Sequence, residues 1–273
     1  MNDRTIGFIG GGRVARIILE GWSRAGKMPA RVTVVDPSRD ALARLQARCP
    51  GIAVADLATA AAQDVVFLAL PPAALPAALP AVRAALRPGA LVVSLAPKFT
   101  VAALAAALGA PERVARVIPN GPSVIGAGFN PAYFPPGMPD DARRVVGDLL
   151  APLGESPLVA EEKLEAYAVV TAMGPTYFWF QFQALREQAA AFGLDERETA
   201  RALRRTVCGA ARTLLESGLT PAEVMDLTPS KPLAEMEPVV AELFRTRLPA
   251  MLLKIKPPGP PAGDVGVTAS FGA

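Results

Sequence analysis

The chain begins with a pattern of short apolar runs separated by polar, helix-length segments. Thr5–Ile9 is an apolar stretch closed by three glycines, and it reads as a strand buried on both faces. From Arg13 to Ala25 apolar residues fall at Val14, Ile17, Ile18 and Gly21/Trp22, which is helical spacing. Arg31–Val35 predicts a second strand, ended by Asp36-Pro37, and Ser38 is positioned to cap a helix over Arg39–Arg48 with Leu42 and Leu45 inward. Further strands are predicted at Ile52–Val54, Val65–Leu70, Leu91–Leu95 and Arg113–Ile118, with helices at Ala74–Leu86 and Val101–Leu108. Strand and helix alternate over the first 120 residues, the signature of a parallel, doubly wound sheet.

The pattern changes after Gly154. Leu158–Ala160 predicts a last strand, and from Lys163 onward the periodicity is helical. Tyr177–Phe192 carries Phe178, Phe182, Leu185 and Ala189 at helical spacing. With Tyr177, Trp179 and Phe180 its first turns are apolar all round, so burial on most sides is expected. Asp195 caps a helix with the stripe Leu203, Val207, Ala210 and Leu214, ending at Gly218. Thr220-Pro221 opens another, and Pro238–Leu253 the last. The expected division is a dinucleotide-binding domain over residues 1–160, a helical domain over 161–255, and a Pro/Gly-rich, disordered tail over 256–273.

Composition removes several mechanisms. The 273 residues contain no histidine, which excludes an imidazole base, a Ser-His-Asp or Cys-His arrangement and a histidine metal ligand. The 2 cysteines, Cys49 and Cys208, are too few for a four-thiolate zinc site and are expected as buried thiols; no metal is expected. Charge is nearly balanced, 28 basic against 25 acidic residues, which gives no footprint for nucleic acid. The longest uncharged apolar stretch, 65–82, holds Pro71, Pro72, Pro76 and Pro80, which disfavours a membrane helix. The first apolar run is short and glycine-rich rather than a secretory signal, so a cytoplasmic enzyme is the expectation.

The candidate chemistry gathers at strand ends. Gly10-Gly11-Gly12-Arg13-Val14-Ala15 fits GxGxxA, follows a strand, opens a helix and precedes a strand ending in an acid. In that setting Gly10 allows the turn, Gly12 lets backbone approach a pyrophosphate, and Ala15 allows close helix–strand packing; the site is that of a nicotinamide dinucleotide. Asp36, 24 residues after Gly12, favours NAD through the adenosine ribose, whereas Ser38 and Arg39 could hold the 2′-phosphate of NADP, and the choice stays open. Ala69-Leu70-Pro71 and Ala96-Pro97-Lys98 end the fourth and fifth strands on the same edge. Lys98 could bind an acidic substrate or stabilise negative charge, and Asn120, after the sixth strand, could orient a nicotinamide amide.

The strings IGFIGGGRVARIILEGW, VVFLALPP, LVVSLAP, RVIPNGPSVIGAG, TAMGPTYFWFQFQALREQAAAFGL and ALRRTVCGAARTLLESGLTPAEVMDL resemble the pyrroline-5-carboxylate reductase family over residues 5–227. The resemblance implies an α/β fold: a Rossmann-type doubly wound parallel sheet plus an all-helical dimerisation domain. It also implies NAD(P)H as hydride donor, a cyclic imine carboxylate as substrate, and a homodimer that in some members assembles further. The departures are specific. The family's AVKP is here Ala69-Leu70-Pro71-Pro72, SLAAG is interrupted by Pro97-Lys98, and SGSGPAY is Thr171-Ala172-Met173-Gly174-Pro175-Thr176-Tyr177. The SPGGTT pocket is replaced by Thr228-Pro229-Ser230-Lys231-Pro232-Leu233-Ala234-Glu235, without Gly-Gly or either threonine. The expectation is therefore an NAD(P)H-dependent oxidoreductase of the CH-NH class acting on a C=N or C=O substrate, imine or ketone, that differs from the family's own. Lys98, Thr171, Tyr177 and Lys231 are its candidates for binding a carboxylate, hydrogen-bonding the substrate or donating a proton. Two alternatives stand beside it: genuine pyrroline-5-carboxylate reduction in proline biosynthesis, and a non-catalytic dinucleotide-binding regulatory protein.

Overall fold

The computed structural model describes residues 4–110 and 112–257; the Pro/Gly-rich tail expected from 256 lies almost wholly outside the described residues. The chain divides into two compact units, one running to Ala168 and resuming at Leu252, the other Val169–Met251.

The first unit is an alternating succession: β1 (Thr5–Ile9), α1 (Arg13–Arg24), β2 (Arg31–Val35), α2 (Arg39–Arg48), β3 (Ile52–Val54), α3 (Leu57–Ala61), β4 (Val65–Leu68), α4 (Leu75–Ala85), β5 (Leu91–Ser94), α5 (Val101–Leu108) and β6 (Val114–Val117). β7 (Gly128–Phe129), β8 (Ala132–Tyr133), α6 (Asp140–Leu150), β9 (Gly154–Glu155) and α7 (Leu164–Tyr167) complete it. The main sheet runs β3-β2-β1-β4-β5-β6-β8. Strands β1 to β6 pair in parallel and β8 joins antiparallel to β6. This is the order in which the strand sequence reverses between β1 and β4, opening a crevice at their carboxyl ends.

The strands are uniform apolar runs because both sheet faces are covered. One face carries Phe8, Phe67 and Trp22, with Phe8 and Phe67 stacked at 4.7 Å between ring centroids. Trp22 is fully buried in α1 and its indole N–H donates to the Leu149 carbonyl of α6 at 2.7 Å, so the polar edge of the largest core ring is satisfied. The other face packs Ile9, Val66, Leu68 and Val92 against Leu75, Val82 and Leu104 of α4 and α5. Ser38, Asp56 and Thr100 cap α2, α3 and α5 through side-chain oxygens, which fixes where each helix starts.

One expectation fails in this unit. Leu158–Ala160 is not a strand: it makes one bridge, to Ala132, and the pairing strand is β9, beside β7. Pro157 lacks the N–H that would extend the ladder. The helix α6, with Ala142, Val146, Leu149 and Leu150 buried, was not anticipated although its apolar spacing is helical.

The second unit contains all but the first residue of a π-helical turn (Ala168–Ala172), α8 (Pro175–Ala191), α9 (Glu196–Glu216), α10 (Pro221–Asp226) and the greater part of α11 (Glu237–Ile255). Asp195 and Thr220 form capping boxes with Glu198 and Glu223, as their spacing requires. Burial of α8 is not observed within one chain: none of its residues is buried, and Trp179 and Phe180 are 53% and 68% exposed. Cys208 of α9 is likewise exposed, while Cys49 is buried.

Gly7 lies so close to α3 that an added Cβ would overlap the Ala60 carbonyl. Gly7→Ala is therefore expected to lower stability by on the order of 3 kcal/mol, read as the urea midpoint at fixed protein concentration.

Candidate functional site

The glycine loop between β1 and α1 is shaped by close approach. Gly10 has φ +107°, and a Cβ there would stand 2.6 Å from the Ala69 carbonyl oxygen at the end of β4. Its N–H donates to Val35 O at 2.8 Å, so the turn is tied to β2 as well. Gly12 is the residue preceding α1; no side chain caps that helix, none of its first-turn residues is acidic, and the space at the Gly12 Cβ position is open. The N–H groups at this terminus thus remain available to an anion. Arg13, Arg16 and Arg44 line a cavity of about 200 Å³ with Gly11 and Gly12. Ala15 is fully buried against the sheet, and Val14 packs at the margin of the same core.

Asp36 is committed to the loop itself. One carboxylate oxygen accepts from Gly11 N–H and the other from Ser38 N–H, each at 2.8 Å. Ser38 in turn spends its hydroxyl oxygen on Ala41 N–H at 3.2 Å, and Arg39 begins α2 at the surface. Each Asp36 oxygen retains acceptor capacity for a hydroxyl, yet its first role is to brace Gly11. The arginines that share a cavity with the glycine loop are Arg13, Arg16 and Arg44 rather than Arg39. Of these, Arg16 and Arg44 were missed; their placement three and five positions into helices α1 and α2, whose starts meet at this edge, was the available signal.

The ends of β4, β5 and β6 continue the same edge. Ala69 and Ala96 are buried, Pro71 is exposed, and Leu70 packs against the α4–α5 side of the core. Asn120 is nearly buried, with its side-chain oxygen accepting from Phe129 N–H at 3.1 Å and its own N–H donating to Asn130. It organises the turn leading into β7.

Lys98 is unusual. Its φ is +79°, the one left-handed non-glycine among the described residues. Such a conformation costs an L side chain roughly 1–2 kcal/mol and persists where the surroundings impose it. They do so here. The Lys98 N–H donates to Glu165 at 3.2 Å, and the Val101 N–H donates to Glu161 at 2.6 Å. Both carboxylates are paired with Arg116 of β6, which has no exposed surface; Glu165 is itself 2% exposed. Two acids on the segment leaving the sheet thus clamp the loop 98–101, and a buried guanidinium holds the acids.

In the second unit Tyr177 donates its hydroxyl proton to the Val169 carbonyl at 2.6 Å. Burial raises its pKa, which keeps it protonated. Thr171 lies in the same π-helical turn as Val169, so this bond ties Tyr177 to the turn that carries Thr171. Gly174 is required there, because a Cβ would collide with the Val170 carbonyl. Lys231 is exposed in the connection between α10 and α11, where its carbonyl accepts from Ala234 N–H. Lys98, Gly10–Ala15, Asp36–Arg39, Ala69–Pro71, Ala96 and Asn120 share the sheet edge of the first unit; Thr171, Tyr177 and Lys231 belong to the second. Among the described residues no group of acidic or cysteine side chains could hold a metal ion, and no helix is long and apolar enough to cross a membrane.

With this geometry in view, similarity to known proteins becomes informative. Residues 5–98 match the family described as NADP oxidoreductase coenzyme F420-dependent, and residues 161–232 match the pyrroline-5-carboxylate reductase dimerisation family. The pyrroline-5-carboxylate reductase of Pseudomonas aeruginosa is 31% identical over 226 residues, covering 82% of this chain and 83% of that protein. Among solved structures, a pyrroline-5-carboxylate reductase from Coxiella burnetii superposes with a TM-score of 0.68 at 28% identity, covering 93% of this chain and 98% of the other. The Plasmodium falciparum enzyme, solved with NADP bound, superposes at 0.78 with 17% identity and covers 94% and 98%.

Two variants probe this edge. Gly12→Glu puts a carboxylate where the open space and free N–H groups are, and is expected to abolish dinucleotide binding in a fluorescence titration. Lys98→Gly relieves the left-handed strain and is expected to raise stability by about 0.5–1 kcal/mol, seen as a higher urea midpoint.

Proposed function

Because the chain belongs to the pyrroline-5-carboxylate reductase family, we propose that it is an NAD(P)H-dependent reductase acting on the C=N bond of a small cyclic imine. The observation that carries this reading is the intact dinucleotide loop, with open space at Gly12, an uncapped α1 and three arginines beside it. The dinucleotide supplies a hydride when bound. The N–H groups of the α1 terminus and Arg13 hold its diphosphate, Asp36 keeps Gly11 in place, and Ala69–Pro71, Ala96 and Asn120 line the edge along which the cofactor extends. Arg16 and Arg44 favour the 2′-phosphorylated cofactor, so tighter binding of NADPH than NADH is expected.

The reaction requires one hydride at carbon and one proton at nitrogen. Without histidine, and with the Tyr177 proton engaged by Val169, we assign the proton to the substrate: the imine enters already protonated on nitrogen. The chain's work is then positioning and exclusion of water. Tyr177 closes the turn that presents Thr171, and Thr171 contacts the substrate. Lys231 sits in the stretch that replaces the family's glycine–threonine pocket.

That replacement, Thr228–Glu235, points to an imine whose acidic end differs from that of pyrroline-5-carboxylate. Two prolines there remove backbone N–H groups that a carboxylate nest needs. The second reading, reduction of pyrroline-5-carboxylate itself, is favoured by the 31% identity over most of both chains. The exposed aromatic face of α8 and the match to a dimerisation family support a second copy of this chain as partner.

The deciding experiment follows NADPH and NADH oxidation with pyrroline-5-carboxylate and a panel of cyclic imines. Turnover of another imine with little of pyrroline-5-carboxylate is expected. Turnover of pyrroline-5-carboxylate at about 1 per second or more would replace the altered-substrate reading with the second one. Tight dinucleotide binding without turnover of any imine or ketone would remove the enzyme reading in favour of a regulatory protein. Turnover that falls as pH rises through the imine's own pKa is the expected profile for a substrate carrying its own proton.

A further inference from the structure

We propose that Lys98 anchors a small organic carboxylate with an apolar body, in a cavity at the carboxyl edge of the sheet. The cavity measures about 500 Å³ and is lined by Pro71, Pro72, Pro97, Lys98, Phe99 and Lys254, all within the first unit. Its charged groups are two ammonium ions. Among the described residues neither is in an ion pair, although eight such pairs form elsewhere, and Lys98 is exposed.

Three features separate Lys98 from an ordinary surface lysine. Its backbone is held left-handed, where glycine would be at ease, so the side chain is retained against a conformational cost. The loop that carries it is clamped by Glu165 and Glu161, and these by the buried Arg116. Its position after β5 is on the edge where ligands bind in sheets of this order. A rigid, costly backbone under a free cation at a ligand-binding edge is a preorganised anion site.

The walls choose among anions. Phosphate recognition in loops relies on convergent backbone N–H groups. Pro71, Pro72 and Pro97 have none, and the Lys98 N–H is taken by Glu165. What remains is point charge on an apolar wall of proline and phenylalanine, which suits a carboxylate joined to hydrocarbon. If this ligand is the imine substrate, its acid is held by Lys98 in place of the altered 228–235 stretch. That identification rests on the reductase reading; the carboxylate site does not.

The test uses the full chain and measures binding of cyclohexanecarboxylate by calorimetry, with cyclohexanecarboxamide as the uncharged probe. Binding of the carboxylate, weakened about tenfold or more in Lys98→Met and Lys98→Gly and by added salt, is expected, as is weak binding of the amide by every variant. Lys98→Gly keeps the test meaningful if Lys98→Met fails to fold, since glycine prefers this backbone. Equal carboxylate affinity in wild type and both variants, or no preference for carboxylate over amide, would overturn the site. Lys98-dependent binding without imine turnover would leave the site and remove the reductase reading; turnover without such binding would do the reverse.

Discussion

A single guanidinium with no exposed surface organises the carboxyl edge of the sheet. Arg116 sits in β6, where its neighbours in the strand are apolar, and a charge in that position is tolerated only when paired. Its partners, Glu161 and Glu165, come from the segment that leaves the sheet towards the helical unit. Each acid has a second engagement, with a backbone N–H of the β5–α5 loop. Arg116 thus holds the acids that grip Lys98 and the first residue of α5, whose start Thr100 caps. Removing either acid would leave part of a buried charge unpaired as well as releasing a loop.

At the other end of the same edge the constraint is space rather than charge. Gly10 lies against the end of β4 and Asp36 grips the amide of Gly11, so the loop is built before any ligand arrives. An uncapped helix terminus flanked by arginines then has one electrostatic requirement, an anion. Hydride transfer asks little more of the protein than orientation, which is how a chain without histidine can belong to a reductase family.

The second unit leaves large apolar surface uncovered within one chain. Its helices expose Phe178, Trp179, Phe180, Leu243 and other large apolar side chains, and their low internal burial contrasts with the saturated core of the first unit. Its π-helical turn is tied to α8 by the Tyr177 hydroxyl on the Val169 carbonyl. Such turns recur at functional sites, and this one holds Thr171.

The sequence by itself determined every parallel strand of the main sheet to within two residues, the caps at Ser38 and Asp195, and the helix start at Thr220. It also determined the glycine loop and the family to which the chain belongs. These are local signals: apolar runs, capping oxygens and a turn that admits only glycine. Tertiary structure alone decided that Asp36 braces the loop, that Arg16 and Arg44 rather than Arg39 share its cavity, that the Tyr177 proton is spent on Val169, and that Lys98 is strained and clamped. It also exposed α8, where apolar periodicity suggested burial, and Cys208, expected as a buried thiol. The reason is common to all of these. Periodicity reports that a face needs covering and a residue's chemistry reports what it can bind. Which partner satisfies it is settled by groups distant in the chain, as Arg116, Glu165 and Lys98 are from one another.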